Sequence, residues 1–133
     1  MNDQVNLPLE GIRILDFTQV MMGPSATQML GDFGADVIKI ENPKGGDLSR
    51  TALGSFDEKG MNNPVFCSLN RNKRSLALDL KEENNKQIIY DLISKSDVVV
   101  NNFRAGVMDR IGFGYEKLRE INPRIIFASG IRK

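Results

Sequence analysis

The sequence predicts an α/β protein built on a doubly wound, mainly parallel, Rossmann-like sheet of about five strands with helices on both faces. Strand-like and helix-like segments alternate along the chain, and each parallel strand pair needs a helical crossover over one face of the sheet. The run "DVVVN" at residues 97–101 is almost continuously apolar, as expected for a parallel strand that is buried on both faces. A chain of 133 residues with 41% apolar content is long enough for one domain of this class.

The first predicted unit is a strand, a helix and a second strand. The runs "RILDF" at residues 13–17 and "DVIKI" at residues 36–40 are typical of short strands. Pro24 suits the first turn of the intervening helix, because its missing N–H would have no partner there. Gly34 is placed to end the helix in a left-handed conformation. The helix itself is indicated by apolar residues at helical spacing, namely Ala26, Met29, Leu30 and Phe33.

The rest of the chain continues the alternation. Residues 42–64 are rich in Gly, Asn, Asp and Lys and are predicted to form a long loop, which in a compact domain usually serves function or mobility. A third strand is predicted at residues 75–80 and a helix at residues 82–94. After the apolar fourth strand, a helix at residues 115–121 and a last strand at residues 124–129 complete the pattern.

Composition excludes several classes of function. The formal charge of +1 gives no bulk electrostatic field for nucleic acid or an anionic membrane, so any anion must be held locally. The chain has one Cys and no His, which leaves no internal disulfide, no Cys–His pair and no convincing zinc site. The polar start and the absence of any apolar run near the bilayer-spanning length predict a soluble, cytoplasmic protein.

Three loops are predicted at the carboxyl ends of the strands, where doubly wound sheets bind ligands: residues 18–25, 42–50 and 102–106. The first presents amides of a helix N-terminus to a phosphate, carboxylate or oxyanion, although Gly23 and Pro24 equally suit a simple tight turn. The second carries Lys44 and Arg50, and suits either phosphates or a solvated surface. Glu41 occupies the ribose-binding position of dinucleotide enzymes, but no G-x-G-x-x-G precedes it.

Two further stretches carry polar and charged side chains. The stretch "NNFRAGVMDRIG" at residues 101–112 follows the apolar strand directly and is the most site-like in the chain. It combines the amide of Asn102, the stacking surface of Phe103 and the cationic forks of Arg104 and Arg110. The run "NRNKRS" suits either a solvated turn or a ligand with several phosphates, because it holds three cations: Arg71, Lys73 and Arg74.

Taken together, three ordered blocks of sequence resemble the amino-terminal third of the class III coenzyme A transferases, the CaiB/BaiF type. They are "GIRILDFTQVMMGPSATQMLGDFGADVIKIENPKGGDLSR", "NRNKRSLALDLK" and "NNFRAGVMDRIGFGYEKLREINPRIIFASG". The family includes formyl-CoA:oxalate CoA-transferases and 2-methylacyl-CoA racemases. The resemblance runs from about residue 7 to residue 130, and it implies that residues 1–133 form the amino-terminal coenzyme A-binding lobe.

The resemblance implies where coenzyme A binds. Coenzyme A or acyl-CoA is then a substrate rather than a bound cofactor. Apolar positions would contact adenine or pantetheine, and cationic positions would bond phosphate. The implied contacts are Val20, Met21, Met22, Leu78, Asp79, Leu80, Lys81, Asn102, Phe103, Arg104 and Arg110.

Two positions depart from the formyl-CoA transferases of this family. Asn42 stands where those enzymes have an Arg that contacts the nucleotide, so a charge there must come from Lys44 or Arg50. Met21 replaces a Gln that lies close to the reacting acyl group. Specificity for formyl or oxalate therefore does not follow from the resemblance.

The resemblance also implies a covalent mechanism in which an Asp attacks the acyl-CoA thioester, and a carboxylic acid finally accepts coenzyme A. That Asp would lie beyond residue 133, so we expect an inactive fragment of a longer, interlocked homodimeric enzyme. Asp16 is expected to be a structural carboxylate bonded to nearby amides. Two alternatives stay open: a racemase fragment, or a self-sufficient α/β module that binds a nucleotide or a protein. None of the aspartates that we considered matches the catalytic position: Asp16, Asp32, Asp36 and Asp47.

Overall fold

The computed structural model describes residues 6–51 and 63–130, which form a five-stranded sheet with helices on both faces. All four strand pairs are parallel, and the spatial order is β3-β2-β1-β4-β5. The predicted fold class is confirmed. The order reverses between β1 and β4, and at this point a crevice opens beyond the carboxyl ends of the strands. The strands are β1 Arg13–Asp16, β2 Asp36–Glu41, β3 Lys73–Ala77, β4 Val98–Asn101 and β5 Ile126–Ser129.

Two helices in the structure were not predicted from the sequence. The described helices are α1 Met22–Asp32, α2 Pro64–Asn70, α3 Glu83–Ile93, α4 Val107–Arg110 and α5 Tyr115–Ile121, with a 3₁₀ turn at Leu48–Arg50. The short helices α2 and α4 show too few turns for an apolar period to be visible. A local signal for α2 was present, because Asn63 accepts from the amide of Val65 and Pro64 follows as the first helical residue. Residues 52–62 of the predicted long loop lie outside the described part.

The core is divided between the two faces of the sheet. On one face, Phe17 and Val99 pack with Ile89 of α3, Met108 of α4 and Leu118 of α5. The opposite face holds a smaller cluster beneath α1, made of Ile14, Ala35 and Val37 with Leu30 packed against it. Because alternate residues of a strand point to opposite faces, both faces of the central strands are buried, as their apolar sequences require.

The ends of α1 are set by local backbone requirements. Gly34 follows the helix with φ of +102°, which confirms the predicted left-handed exit. At the other end, Gly23 is buried against Thr18, and a Cβ there would lie 2.4 Å from the Thr18 Cβ. The turn between β1 and α1 therefore packs directly under the start of the helix.

The cations of the basic run at residues 70–75 form ion pairs with carboxylates of the protein itself. Arg71 pairs with Asp32 at 2.6 Å, and Arg74 pairs with Asp36 at 2.6 Å. Lys73 reaches into the protein and pairs with Asp16. These ion pairs favour the alternative in which this run binds no phosphate. None of the helices in the described ranges is long and apolar enough to cross a membrane.

Candidate functional site

Two neighbouring cavities in the crevice beyond the sheet are lined by predicted contacts. The first has a volume of about 230 Å³ and is lined in part by five of the predicted contacts: Leu78, Asp79, Leu80, Lys81 and Phe103. The second, about 350 Å³, is lined in part by the other predicted contacts of the first turn and by Asn102: Val20, Met21, Met22 and Asn102. Gln19 lines both cavities, so they meet at this residue. The tertiary structure thus brings nine of the predicted positions to one edge of the sheet.

The two predicted arginines lie outside these cavities. Arg104 lines a smaller third cavity of about 120 Å³, together with Asn101 and Ser129. Arg110 is the last residue of α4, and it is exposed. Neither arginine takes part in any of the ion pairs among residues 6–51 and 63–130. Both guanidinium groups are therefore not held by a carboxylate within the described residues.

The turn after β1 is held in an unusual backbone conformation. Val20 has φ of 72°, in the left-handed region that β-branched residues rarely adopt. Such a conformation costs on the order of 1–3 kcal/mol and persists only where surrounding contacts impose it. One of these contacts is the amide of Val20, which donates to Oδ1 of Asp47 at 3.0 Å. Asp47 belongs to the loop after β2, so two loops of the crevice are tied together.

Asn102 ties a third loop to the same turn. Its Oδ1 accepts from the amide of Gln19 at 2.9 Å, and its Nδ2 donates to the carbonyl of Gln19 at 2.8 Å. The side-chain amide of Asn102 therefore fixes the turn. The sequence suggested instead that this amide would contact the ligand directly.

A buried ion pair supports the turn from below. Lys39 of β2 places Nζ 2.7 Å from Oδ2 of Asp47 and donates to the carbonyl of Thr18 at 2.7 Å. Both charged side chains are almost completely excluded from solvent, at 2% and 0% exposure. The amide and the hydroxyl of Ser49 donate to the other oxygen of Asp47. Sequence analysis missed this pair; the available signal was a Lys inside an otherwise apolar strand, "DVIKI".

A second buried pair lies beside the first. Asp16 accepts from the amide of Thr18 at 2.8 Å and from the hydroxyl of Thr27 at 2.6 Å. The Nζ of Lys73 lies 3.0 Å from Oδ2 of Asp16. Burial lowers the pKa of Lys73, although the charge of Asp16 acts in the opposite direction. The structural role predicted for Asp16 is confirmed, with hydroxyls and an ammonium group in addition to the expected amide.

Glu41 has no capacity left for a ribose. Its carboxylate accepts two hydrogen bonds from Arg50, at 2.9 and 2.8 Å, and one from the hydroxyl of Ser75 at 2.6 Å. The guanidinium of Arg50 also lies 3.6 Å from the ring centre of Phe66. Arg50 is therefore not available as the cation expected beside Asn42. The other expected cation, Lys44, is exposed and forms no ion pair within the described ranges.

Acid should destabilise the protein through these buried carboxylates. Burial alone would raise the pKa of Glu41, but hydrogen bonds from Arg50 and Ser75 outweigh it and lower the pKa. Burial likewise opposes the hydrogen bonds from Lys39 and Ser49 that lower the pKa of Asp47. A depressed folded-state pKa stabilises the fold above the unfolded value of about 4 and loses that contribution as pH falls further.

We therefore expect the urea midpoint of unfolding to be steady near neutral pH and to drop below about pH 4. Circular dichroism at a series of pH values measures this. A Glu41→Gln variant should show a shallower acid dependence than the parent, because one of the two carboxylates no longer titrates. A midpoint that is flat down to about pH 3 would contradict the expected contribution of these groups.

Comparison with known proteins gives consistent matches. A family profile described as CoA-transferase family III matches residues 9–131. Formyl-CoA:oxalate CoA-transferase of Bradyrhizobium sp. (strain ORS 278) is 51% identical over 121 residues, which cover 91% of this chain and 28% of that protein. The enzyme of the same name from Streptomyces coelicolor is 50% identical, and the match covers 29% of it. The chain thus spans less than a third of the length of these relatives.

Solved structures share the fold. A CAIB/BAIF family protein from Brucella suis superposes with a TM-score of 0.84 at 38% identity, over 93% of this chain and 33% of that one. A hypothetical protein from Mycobacterium tuberculosis superposes with a TM-score of 0.81 at 41% identity, over 92% of this chain and 32% of that one. The fold of this chain is therefore present in proteins of about three times this length.

Proposed function

The chain belongs to CoA-transferase family III, and on this premise we propose that it forms the coenzyme A-binding part of an enzyme that moves coenzyme A between an acyl-CoA and a carboxylic acid. The carrying observation is the pair of cavities that meet at Gln19. Coenzyme A is a long molecule with anionic phosphates at one end and a thiol at the other. Both cavities offer apolar surface and the first also offers the ammonium group of Lys81, a combination that suits such a ligand.

The first cavity suits the nucleotide end. Leu78 and Phe103 offer apolar walls for adenine or pantetheine, and Lys81 offers an ammonium for phosphate. Arg104 and Arg110 are exposed and carry additional positive charge on the next loop and helix. Lys44 is exposed on the loop after β2.

The attacking carboxylate is proposed to come from a part of the family's fold outside this chain. The most deeply buried carboxylates beside the crevice are each bonded to a cation: Asp16 to Lys73, Glu41 to Arg50, and Asp47 to Lys39. A carboxylate held in this way is a poor nucleophile, because attack would break its ion pair and strand a buried charge. The chain alone should therefore bind coenzyme A without transferring it.

In the proposed reaction, a carboxylate oxygen attacks the thioester carbon and the thiolate of coenzyme A leaves, which forms a mixed anhydride. The thiolate then attacks the enzyme's acyl carbon and releases the first carboxylic acid, leaving an enzyme thioester. The acceptor carboxylate attacks that thioester and expels the thiolate of coenzyme A, which gives a second mixed anhydride. The thiolate then attacks the acyl carbon of the acceptor, so a new acyl-CoA forms and the enzyme carboxylate leaves. This chain would bind the substrate and exclude water. The cytoplasmic location and the interlocked homodimer remain predictions.

Titration calorimetry with coenzyme A tests the binding half of the proposal. We expect weak binding that becomes weaker as salt concentration rises, because exposed cations hold the phosphates. Arg104→Ala should reduce affinity up to about fivefold, the effect of losing one exposed ion pair. The control is Arg74→Ala, which removes an exposed arginine near the start of β3 that is paired with Asp36 and should leave affinity unchanged. No heat at millimolar coenzyme A, or equal affinity for NAD, would refute the assignment.

A further inference from the structure

The second cavity differs from the first in charge. Its lining residues are Gln19, Val20, Met21, Met22, Asn102 and Gly130. Within residues 6–51 and 63–130, no charged residue lines it. Both methionines are 59% exposed, so two large apolar side chains stand in water at the mouth of a binding crevice. Exposed apolar surface concentrated in this way is typical of a site that is covered by a ligand.

We propose that the second cavity receives the acyl end of the acyl-CoA and selects an apolar aliphatic acyl group over a formyl or oxalyl group. This inference rests on the proposed function and names its substrate class. The acyl group proposed for this chain differs from the formyl and oxalate groups in the names of the relatives.

The distribution of charge sets the direction in which the ligand lies. Lys81 lines the first cavity together with two carboxylates, Glu41 and Asp79, of which Glu41 is paired with Arg50. In the part of the chain that the structure describes, Lys81 is the one cation in the lining of either cavity. The phosphates therefore belong in the first cavity and the thioester end in the second. Gln19 stands where the cavities meet, and its side-chain amide makes no hydrogen bond with the described residues. This amide can donate to the thioester carbonyl.

The lining then decides which acyl group is favoured. An oxalyl group would bring a carboxylate against methionine side chains without a cation, and an ion that loses its hydration without gaining a partner binds poorly. A formyl group would leave the methionines in water. An aliphatic chain would cover them, and each methylene that becomes fully buried strengthens binding about fourfold. Methionine also adapts its shape to different apolar partners.

The turn that presents these side chains is fixed from below. Val20 is held by Asp47, and Gln19 by both atoms of the Asn102 amide. At the far wall, a Cβ added to Gly130 would lie 3.1 Å from the terminal methyl of Met22. The methionine tip therefore rests against a position without a side chain, and a larger residue there would reduce the cavity.

The test compares the affinities of hexanoyl-CoA, oxalyl-CoA and free coenzyme A for the full chain by titration calorimetry. Hexanoyl-CoA should bind about tenfold or more tightly than coenzyme A, given partial burial of its methylenes. Oxalyl-CoA should bind no more tightly than coenzyme A. Met21→Gln should reduce the ratio of the hexanoyl-CoA and coenzyme A affinities. Met29→Gln is the matched control, because Met29 is also 59% exposed on α1 but lies outside the cavity lining.

The outcomes separate this inference from the proposed function. If coenzyme A binds and hexanoyl-CoA binds equally, or if oxalyl-CoA binds most tightly, the apolar selection is wrong while the coenzyme A site stands. An equal effect of Met21→Gln and Met29→Gln would likewise overturn the assignment of the cavity. If none of the three ligands binds, the proposed function and this inference fall together.

Discussion

Replacing Asp47 by Ala is expected to lower the free energy of unfolding by about 3–5 kcal/mol, the usual cost of breaking a buried ion pair. The change leaves the ammonium of Lys39 buried beside the carbonyl of Thr18 without its counter-ion. It also removes the acceptor of the Val20 amide, so the strained turn loses one of its anchors. The variant should therefore lose coenzyme A affinity as well as stability.

Urea denaturation followed by circular dichroism measures the effect on stability. The control is Asp36→Ala. Asp36 is a partly exposed carboxylate at the start of β2, where it pairs with Arg13 and Arg74. Its loss should cost about 1 kcal/mol or less. Similar losses of stability in the two variants would mean that the buried Lys39–Asp47 pair contributes no more than an exposed pair.

A double variant separates uncompensated charge from lost packing. Lys39→Met combined with Asp47→Leu removes both charges, and much of the stability lost in the single variant should return. Coenzyme A binding should not return with it, because Leu cannot accept the amide of Val20. A double variant less stable than Asp47→Ala would contradict the assignment of the loss to a buried, unpaired ammonium. This comparison also serves if the single variant fails to fold.

Phe113→Ala should have an effect of similar size, about 3–5 kcal/mol, through the cavity that it leaves in the core. Phe113 is fully buried. Its ring centre lies 5.7 Å from that of Phe17 and 5.3 Å from that of Tyr90. Phe17 also lines the first cavity of the crevice. The substitution should therefore weaken coenzyme A binding by loosening the wall that Phe17 provides.

The matched control for this substitution is Tyr115→Ala. Tyr115 also packs on another ring, with 6.1 Å to the centre of Phe127, but its side chain is 43% exposed. Its removal should cost about 1.5 kcal/mol or less, the range of an aromatic pair without a core cavity. Thermal and urea unfolding of both variants give the comparison. Equal destabilisation would show that the cluster of Phe17, Phe113 and Tyr90 contributes no more to stability than an aromatic contact at the surface.

Much of the candidate site was predictable because strand order along the chain determines which loops share an edge. Lys81 and Phe103 follow predicted strands, and the carboxyl ends of parallel strands lie at the same edge of a sheet. Leu78 was predicted to lie inside the third strand, at residues 75–80, but this strand ends at Ala77 and Leu78 lies just beyond it. The meeting of these residues in one cavity needed only the fold class and the resemblance. The connection of two cavities through Gln19 could not be predicted in this way, because it depends on the direction of side chains in an irregular turn.

The partners of the charged residues were the least predictable feature. The sequence offered Arg50 as a cation for a ligand, whereas the structure uses it to hold Glu41. Lys73 belonged to a run that suited phosphates, and it pairs with a carboxylate 57 residues away. Sequence composition gives the number of charges, but burial and distance decide which of them remain available to a ligand.

The sequence by itself determined the succession of the five strands and of helices α1, α3 and α5, the exit of α1 at Gly34 and three of the loops at the crevice. These features depend on hydrophobic period and on backbone preferences, which act between residues close together in the chain. Only the tertiary structure decided the pairing of Lys39 with Asp47 and the left-handed turn at Val20. The amide of Val20 bonds a carboxylate 27 residues away. That contact and the strain that it holds arise because the parallel sheet brings separate loops together, and no local pattern in the chain records such a distance.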